Sequence, residues 1–179
     1  SYADSYKNMV NISVFSKSSV RPIILLGKFD GLHTGHRTLV AAGNALKKEL
    51  PAPVYIFNFV SDDSGERKYL STREEENDLE RAYSIDGVIE APLTKEFFSI
   101  GKDEFLRILS DNFNPVAVVC GEDYTFGFNR GGDAGYLKDY FEKKGVKAVI
   151  APLLMVGGKK VSSTLIKKKL SEGKIKEAN

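Results

Sequence analysis

The two histidines of the chain lie in one glycine-rich turn, written Gly27-Lys28-Phe29-Asp30-Gly31-Leu32-His33-Thr34-Gly35-His36. An apolar segment precedes this turn and a segment with helical periodicity follows it. Glycines let the backbone turn tightly and approach a ligand closely, and a helix N-terminus offers unpaired N–H groups to an anion. His33 and His36 are three residues apart, so both can face the same anion. The pattern indicates a phosphate-binding site.

Zinc binding is a second interpretation of the turn, since the spacing His-x-x-His can ligate zinc. No cysteine lies nearby and only Asp30 offers a third ligand, so we predict no metal site built from protein side chains. A Walker-type phosphate loop needs a Gly-Lys-Ser/Thr ending, which the turn lacks. Ordinary loop and capping roles for the two histidines are the remaining alternative.

The elements that position the turn follow an α/β pattern. Short β-rich apolar runs alternate with helix-period segments, which is typical of βαβ units and a mostly parallel sheet. Strands are predicted over residues 22–27, 54–59, 87–91, 116–121 and 147–152, and helices over residues 36–50, from near Ser71, over 102–113 and over 134–144. We therefore expect about five parallel strands with helices on both faces. The turn then lies at the carboxyl end of the first strand, where parallel sheets bind ligands.

The C-terminal segment carries its own signals. Residues 153–161 contain Gly157-Gly158 between apolar flanks, which predicts a small hairpin, and a final basic helix is predicted from Ser163 onward. From residue 143 onward ten lysines stand against two acidic residues, a net charge of +8, whereas the rest of the chain carries −6. Such a cluster could meet a polyphosphate, a membrane or nucleic acid. Because no aromatic residues are interleaved as a stacking platform, nucleic acid is not an expected partner.

Length and composition favour one folded domain over residues 1–179. A chain of 179 residues with 42% hydrophobic residues can bury one core but not comfortably two. The longest nearly uncharged stretch, residues 149–158, is about half of what a membrane-spanning helix needs, and no signal peptide is evident. The single Cys120 cannot form an internal disulfide. We expect a cytoplasmic protein with no membrane partner.

Three segments together resemble one enzyme family. The glycine-rich turn resembles the signature Gly-x-Phe-Asp-x-x-His-x-Gly-His of the HxGH nucleotidylyltransferase superfamily. Residues 118–132 (VVCGEDYTFGFNRGG) are similar to the motif Gly-x-Asp-Phe-x-Phe-Gly-x-x-Arg-x-Gly of bacterial FAD synthetases, with Tyr124 at an aromatic position. Residues 161–167 (VSSTLIK) resemble their Ile-Ser-Ser-Thr-x-Ile-Arg, and residues 170–178 resemble the run that leads toward a riboflavin kinase domain.

The resemblance implies a Rossmann-like nucleotidylyltransferase fold and the transfer of AMP from ATP to FMN, which yields FAD and pyrophosphate. Mg²⁺ is implied as the ion that accompanies ATP, and no covalent enzyme intermediate is expected. In the family a separate C-terminal domain phosphorylates riboflavin, and such a domain is an expected partner only in a longer chain. Residues 165–179 would form the final helix and the start of the lead toward it, and kinase activity is expected to be absent from this chain.

Matching the motifs residue by residue implies three groups of site residues. The implied catalytic residues, which would contact the triphosphate, are His33, His36 and Lys167. The residues implied in ATP binding are Gly27, Lys28, Phe29, Asp30, Gly35, Gly121, Asp123, Ser162, Ser163 and Thr164. Flavin binding is implied for Asn58, Phe126 and Arg130, where the ring supplies stacking area and the guanidinium a bidentate grip on phosphate.

Two departures from the family pattern leave other functions open. Lys167 stands where the family has arginine, which keeps the charge but loses the planar fork. Residues 57–61 (FNFVS) lie where the family commonly has Phe-Asp-Pro-His-Pro, so Asn58 replaces a carboxylate and an imidazole is absent. The acidic loop over residues 62–66 would repel a nearby phosphate. The alternatives are a catalytically weakened flavin- or nucleotide-binding paralogue and a related nucleotidylyltransferase with another phosphate acceptor.

Overall fold

The computed structural model describes residues 10–27, 33–61, 68–69, 85–152, 155–156 and 159–160, with the backbone alone for residues 33–37, 68–69, 155–156 and 159–160. The strands are β1 (Val10–Ser13), β2 (Ile23–Leu26), β3 (Val54–Ser61), β4 (Lys68–Tyr69), β5 (Gly87–Pro92), β6 (Ala117–Gly121), β7 (Thr125–Phe126), β8 (Gly132–Asp133), β9 (Lys147–Ala151), β10 (Met155–Val156) and β11 (Lys159–Lys160). The helices are α1 (His33–Glu49), α2 (Lys95–Phe98), α3 (Lys102–Phe113) and α4 (Ala134–Lys143).

The central sheet has the strand order β1-β5-β3-β2-β6-β9, and all five neighbouring pairs are parallel. The chain moves outward from β2 through β3 to β5 and later crosses to β6 and β9 on the other side of β2. The direction of winding therefore reverses between β2 and β6. In doubly wound sheets the crevice at the carboxyl ends of such strands is the preferred ligand position.

Two apolar layers enclose the sheet because successive side chains of a strand point to opposite faces. In β2, Ile24 and Leu26 pack with residues of α3 and α4, whereas Ile23 and Leu25 pack with residues of α1. The predicted α/β fold with a parallel sheet and helices on both faces is confirmed. The predicted hairpin is also confirmed, since β10 and β11 pair antiparallel.

The helix ends follow local capping chemistry. Helix α3 ends at Asn114, whose left-handed backbone (φ 41°) lets its N–H donate to the Ser110 carbonyl, and Pro115 follows. Helix α4 begins after Asp133, whose carboxylate accepts a hydrogen bond of 2.9 Å from the Tyr136 N–H. Local signals of this kind explain why the predicted bounds of α3 and α4 agree with the structure to within one residue.

Several boundaries differ from the prediction. Helix α1 begins at His33, three residues before the predicted start, because the apolar periodicity that predicts the helix begins only at Leu39 and does not mark the polar residues before it. Strand β3 continues to Ser61 instead of residue 59, since Val60 and Ser61 pair antiparallel with β4. Strand β1 adds a sixth parallel strand beyond the five expected. The helices predicted near Ser71 and from Ser163 lie outside the described residues.

Among the helices that the structure describes, none combines the length and apolar character that a membrane span requires.

Candidate functional site

The predicted phosphate turn begins at the crevice between β2 and β6. Leu26 and Cys120 are register partners at the ends of these strands, so Gly27 and Gly121 follow side by side at the same sheet edge. Helix α1 packs against β2, and its first turn spans His33, Gly35 and His36. A helix that returns antiparallel to its strand brings its N-terminus to the carboxyl edge of the sheet. The backbone of this first turn therefore offers N–H groups near that edge.

A tight turn follows β6 and carries a carboxylate. The Tyr124 N–H donates to the Gly121 carbonyl at 3.1 Å, and the Glu122 N–H donates to the Ala151 carbonyl at 3.0 Å. A Cβ atom on Gly121 would lie 3.1 Å from Asp123 Oδ1, so glycine makes room for this carboxylate to fold back over the strand end. Asp123 is exposed and sits where it can accept hydrogen bonds from ligand hydroxyls.

An aromatic cleft of about 580 Å³ opens at the same edge. Gly27 and Asn58 border it together with the rings of Phe57, Phe59, Phe97, Phe98, Phe105, Tyr124, Phe126 and Phe128. The volume lies within the usual range of small-molecule sites, roughly 300–1,000 Å³. Among the residues that line the cleft, Arg130 supplies the cationic side chain.

The rings form two stacked groups with edge contacts between them. Phe59 stacks on Phe98 with centroids 5.1 Å apart and an interplanar angle of 29°. In the second group two rings stack on that of Phe126. The Phe105 ring does so with centroids 5.4 Å apart at an interplanar angle of 28°, and the Tyr124 ring at 5.6 Å and 26°. These offset geometries are the favourable ones for aromatic pairs. The walls of the cleft are therefore preformed aromatic surfaces that suit a flat ring.

Glycine is required where the hairpin β7–β8 closes over the cleft. A Cβ atom on Gly132 would lie 2.3 Å from the ring of Phe126, its register partner across the hairpin. Any other residue would force the ring to move, because real Cβ contacts of this length do not occur. Gly132 thus holds the Phe126 ring against the backbone and keeps one wall of the cleft in place.

The loop over residues 127–131 presents Arg130. The Phe128 N–H donates to the Ile100 carbonyl at 2.8 Å, which ties the loop to the segment before α3. Asn129 and Arg130 both have φ of 54°, in the left-handed region that non-glycine residues rarely adopt. Backbone strain of this kind is typically retained at functional sites. Arg130 is exposed and lines the cleft, so its guanidinium can reach an anionic group there.

Asn58 lies deep in the cleft wall on β3. Its side chain is buried, its register partner on β5 is the buried Glu90, and its Oδ1 accepts a hydrogen bond of 3.0 Å from the Phe59 N–H. The family pattern has a carboxylate at this position, and the neutral amide avoids the cost of burying an ionised side chain there. Asn58 therefore fits the local electrostatics of this chain.

Two buried titratable groups, the Cys120 thiol and the Tyr124 phenol, lie near the cleft and are neutral. Burial raises the pKa of the Cys120 thiol to about 12, with a smaller contribution from Asp123. Burial also raises the pKa of the Tyr124 phenol well above its usual value. Both groups stay protonated at neutral pH and neither adds charge to the site.

The structure brings four of the predicted site residues, Gly27, Asn58, Phe126 and Arg130, around one cleft. Gly121 and Asp123 lie at the end of the adjacent strand β6. The side chains of His33 and His36 lie outside the described part, as do all atoms of Lys28, Phe29, Asp30, Ser162, Ser163, Thr164 and Lys167. No group of three His, Cys, Asp or Glu residues converges in the described part of the chain.

Most of the aromatic wall was not predicted from the sequence. Phe59, Phe98 and Phe105 come from β3, α2 and α3, and each one by itself is an ordinary core or surface residue. The available signal was the density of phenylalanine, 11 in the chain, in segments that end at the carboxyl edge of the sheet. That signal does not indicate which rings meet.

Comparison with known proteins identifies the family that this chain resembles. The sequence profile described as FAD synthetase matches residues 16–165. A curated FAD synthetase of Listeria monocytogenes serovar 1/2a is 26% identical over 172 residues, which cover 91% of this chain and 69% of that protein. A bifunctional riboflavin kinase/FMN adenylyltransferase of Buchnera aphidicola subsp. Acyrthosiphon pisum is 29% identical over 177 residues, which cover 94% of this chain and 55% of that protein.

A solved structure shares the fold. The chain superimposes on a crystal structure described as a macrolide-efflux protein from Streptococcus pneumoniae with a TM-score of 0.70 and 23% sequence identity. The match covers 87% of this chain and 54% of that one. At this identity the likeness supports the fold alone.

Proposed function

The chain belongs to the FAD synthetase family, and we propose that it transfers AMP from ATP to FMN, forming FAD and pyrophosphate. The observation that carries the proposal is the continuity of the site, because Gly27, where the phosphate turn begins, borders the same cleft as the stacked aromatic walls. A flat ring system held in the cleft can direct its phosphate toward Arg130 and the phosphate turn. The proposal treats residues 1–179 as one adenylyltransferase-like domain.

Nucleotidyl transfer is mainly a problem of alignment and charge. The attacking phosphate oxygen of FMN must meet the α-phosphorus of ATP in line, and the departing pyrophosphate must be stabilised. The N–H groups at the start of α1 and the side chains of His33 and His36 would bind the triphosphate. Ser162, Ser163, Thr164 and Lys167 would add donors and a positive charge from the C-terminal segment.

The remaining proposed contacts divide between the two substrates. Asp123, beside Gly121 at the end of β6, would accept hydrogen bonds from ribose hydroxyls of the adenosine. Phe126 would stack on the isoalloxazine ring and Arg130 would hold the FMN phosphate. Mg²⁺ would neutralise phosphate charge and would be held mainly by phosphate and water oxygens. Since ATP and FMN are cytoplasmic metabolites, the reaction is proposed for the cytoplasm.

The departure at residues 57–61 does not favour a weakened paralogue. Phe59 is part of the stacked wall, and the longer β3 is paired on both sides, with β4 and β5. The altered segment therefore builds the cleft instead of blocking it. This geometry supports the conclusion that the altered residues 57–61 change the shape of the acceptor site.

The test is a product assay on the full chain with ATP, Mg²⁺ and FMN. We expect FAD and pyrophosphate in equal amounts. In a His36→Ala variant the rate should fall by on the order of 100-fold, whereas quenching of FMN fluorescence on binding should persist. Lys48→Ala is the matched control, because Lys48 is exposed near the opposite end of α1.

The absence of FAD from protein that binds both ATP and FMN in calorimetry would overturn the proposal. A panel of other small phosphates, assayed for pyrophosphate release, would then identify a related nucleotidylyltransferase with another acceptor. Equal rates for the parent chain and His36→Ala would contradict the assigned role of the phosphate turn.

A further inference from the structure

Tyr124 carries a buried polar group in the wall of the aromatic cleft. The side chain is 7% exposed and lines the cleft, and its ring stacks on that of Phe126. Its hydroxyl has no hydrogen-bond partner among the described residues. Tyr136, by contrast, donates its hydroxyl proton to Asp103 Oδ1.

A buried hydroxyl without a partner is costly, because water no longer solvates it and no protein group replaces the water. Native proteins retain such groups where a ligand or an ordered water completes the hydrogen bond. The position of Tyr124 in the wall of a largely aromatic cleft makes a ligand the natural partner. A few polar groups among many rings, here Tyr124 together with Asn58 and Arg130, are also the arrangement that orients a ligand in a small-molecule site.

We propose that the Tyr124 hydroxyl is a specificity-determining group, which donates a hydrogen bond to a carbonyl oxygen or ring nitrogen of the acceptor's flat ring. The inference rests on the proposed function, because an isoalloxazine ring supplies such acceptor atoms along its polar edge. Arg130 is the group assigned to the phosphate. In this proposal Tyr124 therefore recognises the flat ring of the acceptor, and Arg130 binds its negative charge.

The protonation state of the phenol supports a donor role. Burial raises the pKa of Tyr124 above its usual value near 10, and the neighbouring Cys120 thiol raises it further. The hydroxyl therefore keeps its proton throughout the neutral range. A neutral phenol can donate to a carbonyl oxygen without bringing a charge into the apolar cleft.

The experiment compares Tyr124→Phe with Tyr140→Phe. The first substitution removes the hydroxyl and keeps the stacked ring, and phenylalanine is the residue that the matching family motif has at this position. Tyr140 is the control, because it lies on α4 with its ring against Phe141 and Lys144 and does not line the cleft. Dissociation constants for FMN and for riboflavin are measured by fluorescence quenching on the full chain.

We expect Tyr124→Phe to raise Kd for both flavins by roughly fivefold to tenfold, the usual worth of one hydrogen bond, and Tyr140→Phe to leave both unchanged. The melting temperature of the ligand-free Tyr124→Phe protein should equal or exceed that of the parent chain, since the substitution removes no hydrogen bond to the described residues. The stabilisation by FMN should be smaller in Tyr124→Phe.

Three outcomes would overturn the inference while leaving the proposed function intact if FAD is still formed. Equal Kd values for the parent and Tyr124→Phe would show that the hydroxyl makes no contact with the ligand. A loss confined to FMN would assign the hydroxyl to the phosphate. A lower melting temperature without ligand would show a partner within the protein. Failure of the parent chain to bind either flavin would instead overturn the proposed function, and this inference with it.

Discussion

The backbone of Gly127 lies directly against that of Lys102. A Cβ atom on Gly127 would be 2.7 Å from both the Cα and the nitrogen of Lys102, and Gly127 itself has φ of +80°. The loop that presents Arg130 is thus docked on the first residue of α3 at a distance that only glycine permits. Because the contact is with backbone atoms, no side-chain rotation can relieve a clash there.

Gly127→Ala is therefore expected to lower the unfolding free energy more than a glycine-to-alanine substitution at another position with a similar backbone conformation. Gly145 has φ of +78° and open space around its Cβ position, so Gly145→Ala reports the conformational cost alone, about 1–2 kcal/mol. Gly127→Ala should lose a further ~1–3 kcal/mol of unfolding free energy and weaken FMN binding. Urea denaturation of both variants checks this. Equal losses of unfolding free energy in the two variants would show that the loop over residues 127–131 moves to accommodate the added methyl group.

A comparison of Phe98 with Phe15 distinguishes the effect of the aromatic wall on flavin binding from the general effect of an exposed apolar side chain. They are 48% and 54% exposed, and each contacts another phenylalanine, but only Phe98 lines the cleft. Phe98→Ala should weaken flavin binding by roughly fivefold or more through loss of the stacked surface, whereas Phe15→Ala should leave it unchanged. Fluorescence titration measures both. Similar effects of the two substitutions would argue against the cleft as the flavin site.

Arg130 is expected to discriminate FMN from riboflavin. Arg130→Gln removes a charged grip on the phosphate, so Kd for FMN should rise by about tenfold while Kd for riboflavin stays within twofold of the parent value. Arg107→Gln is the charge-matched control, because Arg107 is exposed on α3 and pairs with Glu104 and Asp111 away from the cleft. A parallel loss for both flavins would assign Arg130 to the ring and not to the phosphate.

Cys120 should make the stability of the protein decrease at alkaline pH. Burial raises the pKa of its thiol from 9.0 to about 12 in the folded state, so above pH 9 the unfolded chain releases a proton that the folded chain retains. The unfolded state is then favoured, and stability falls by about 1.4 kcal/mol per pH unit between these values. Below pH 8 this contribution to stability is fully present.

Urea denaturation at pH 8 and pH 10 tests this linkage. The parent chain should lose about 1.4 kcal/mol more than Cys120→Ala over that interval. The raised pKa of Tyr55 affects both proteins alike, and burial, the larger cause of the raised Tyr124 pKa, is present in both, so the difference reports mainly the thiol and to a smaller extent its coupling to Tyr124. An identical pH dependence in the two proteins would contradict the assignment.

Local sequence signals were sufficient for the elements that end in strong caps or consist of fully apolar runs. Helix α3 was predicted at its observed bounds, and the buried strands β2 and β6 were predicted to within one residue at each end. Strand β1 was missed because it is a four-residue edge strand with mostly exposed side chains, which leaves little apolar pattern. Its pairing with β5 depends on a neighbour more than 70 residues away in the chain.

The candidate site shows the same division. The glycine-rich turn, the Gly121 to Arg130 motif and the parallel α/β pattern follow from the sequence, because glycine spacing and apolar periodicity are local properties of the chain. Only the tertiary structure decided that Phe59, Phe98, Phe105 and Phe126 share one cleft with Gly27. These residues lie on separate elements, and which rings meet depends on strand order, on register and on the face to which each side chain points. Those quantities are set by the packing of the whole domain and not by any single segment.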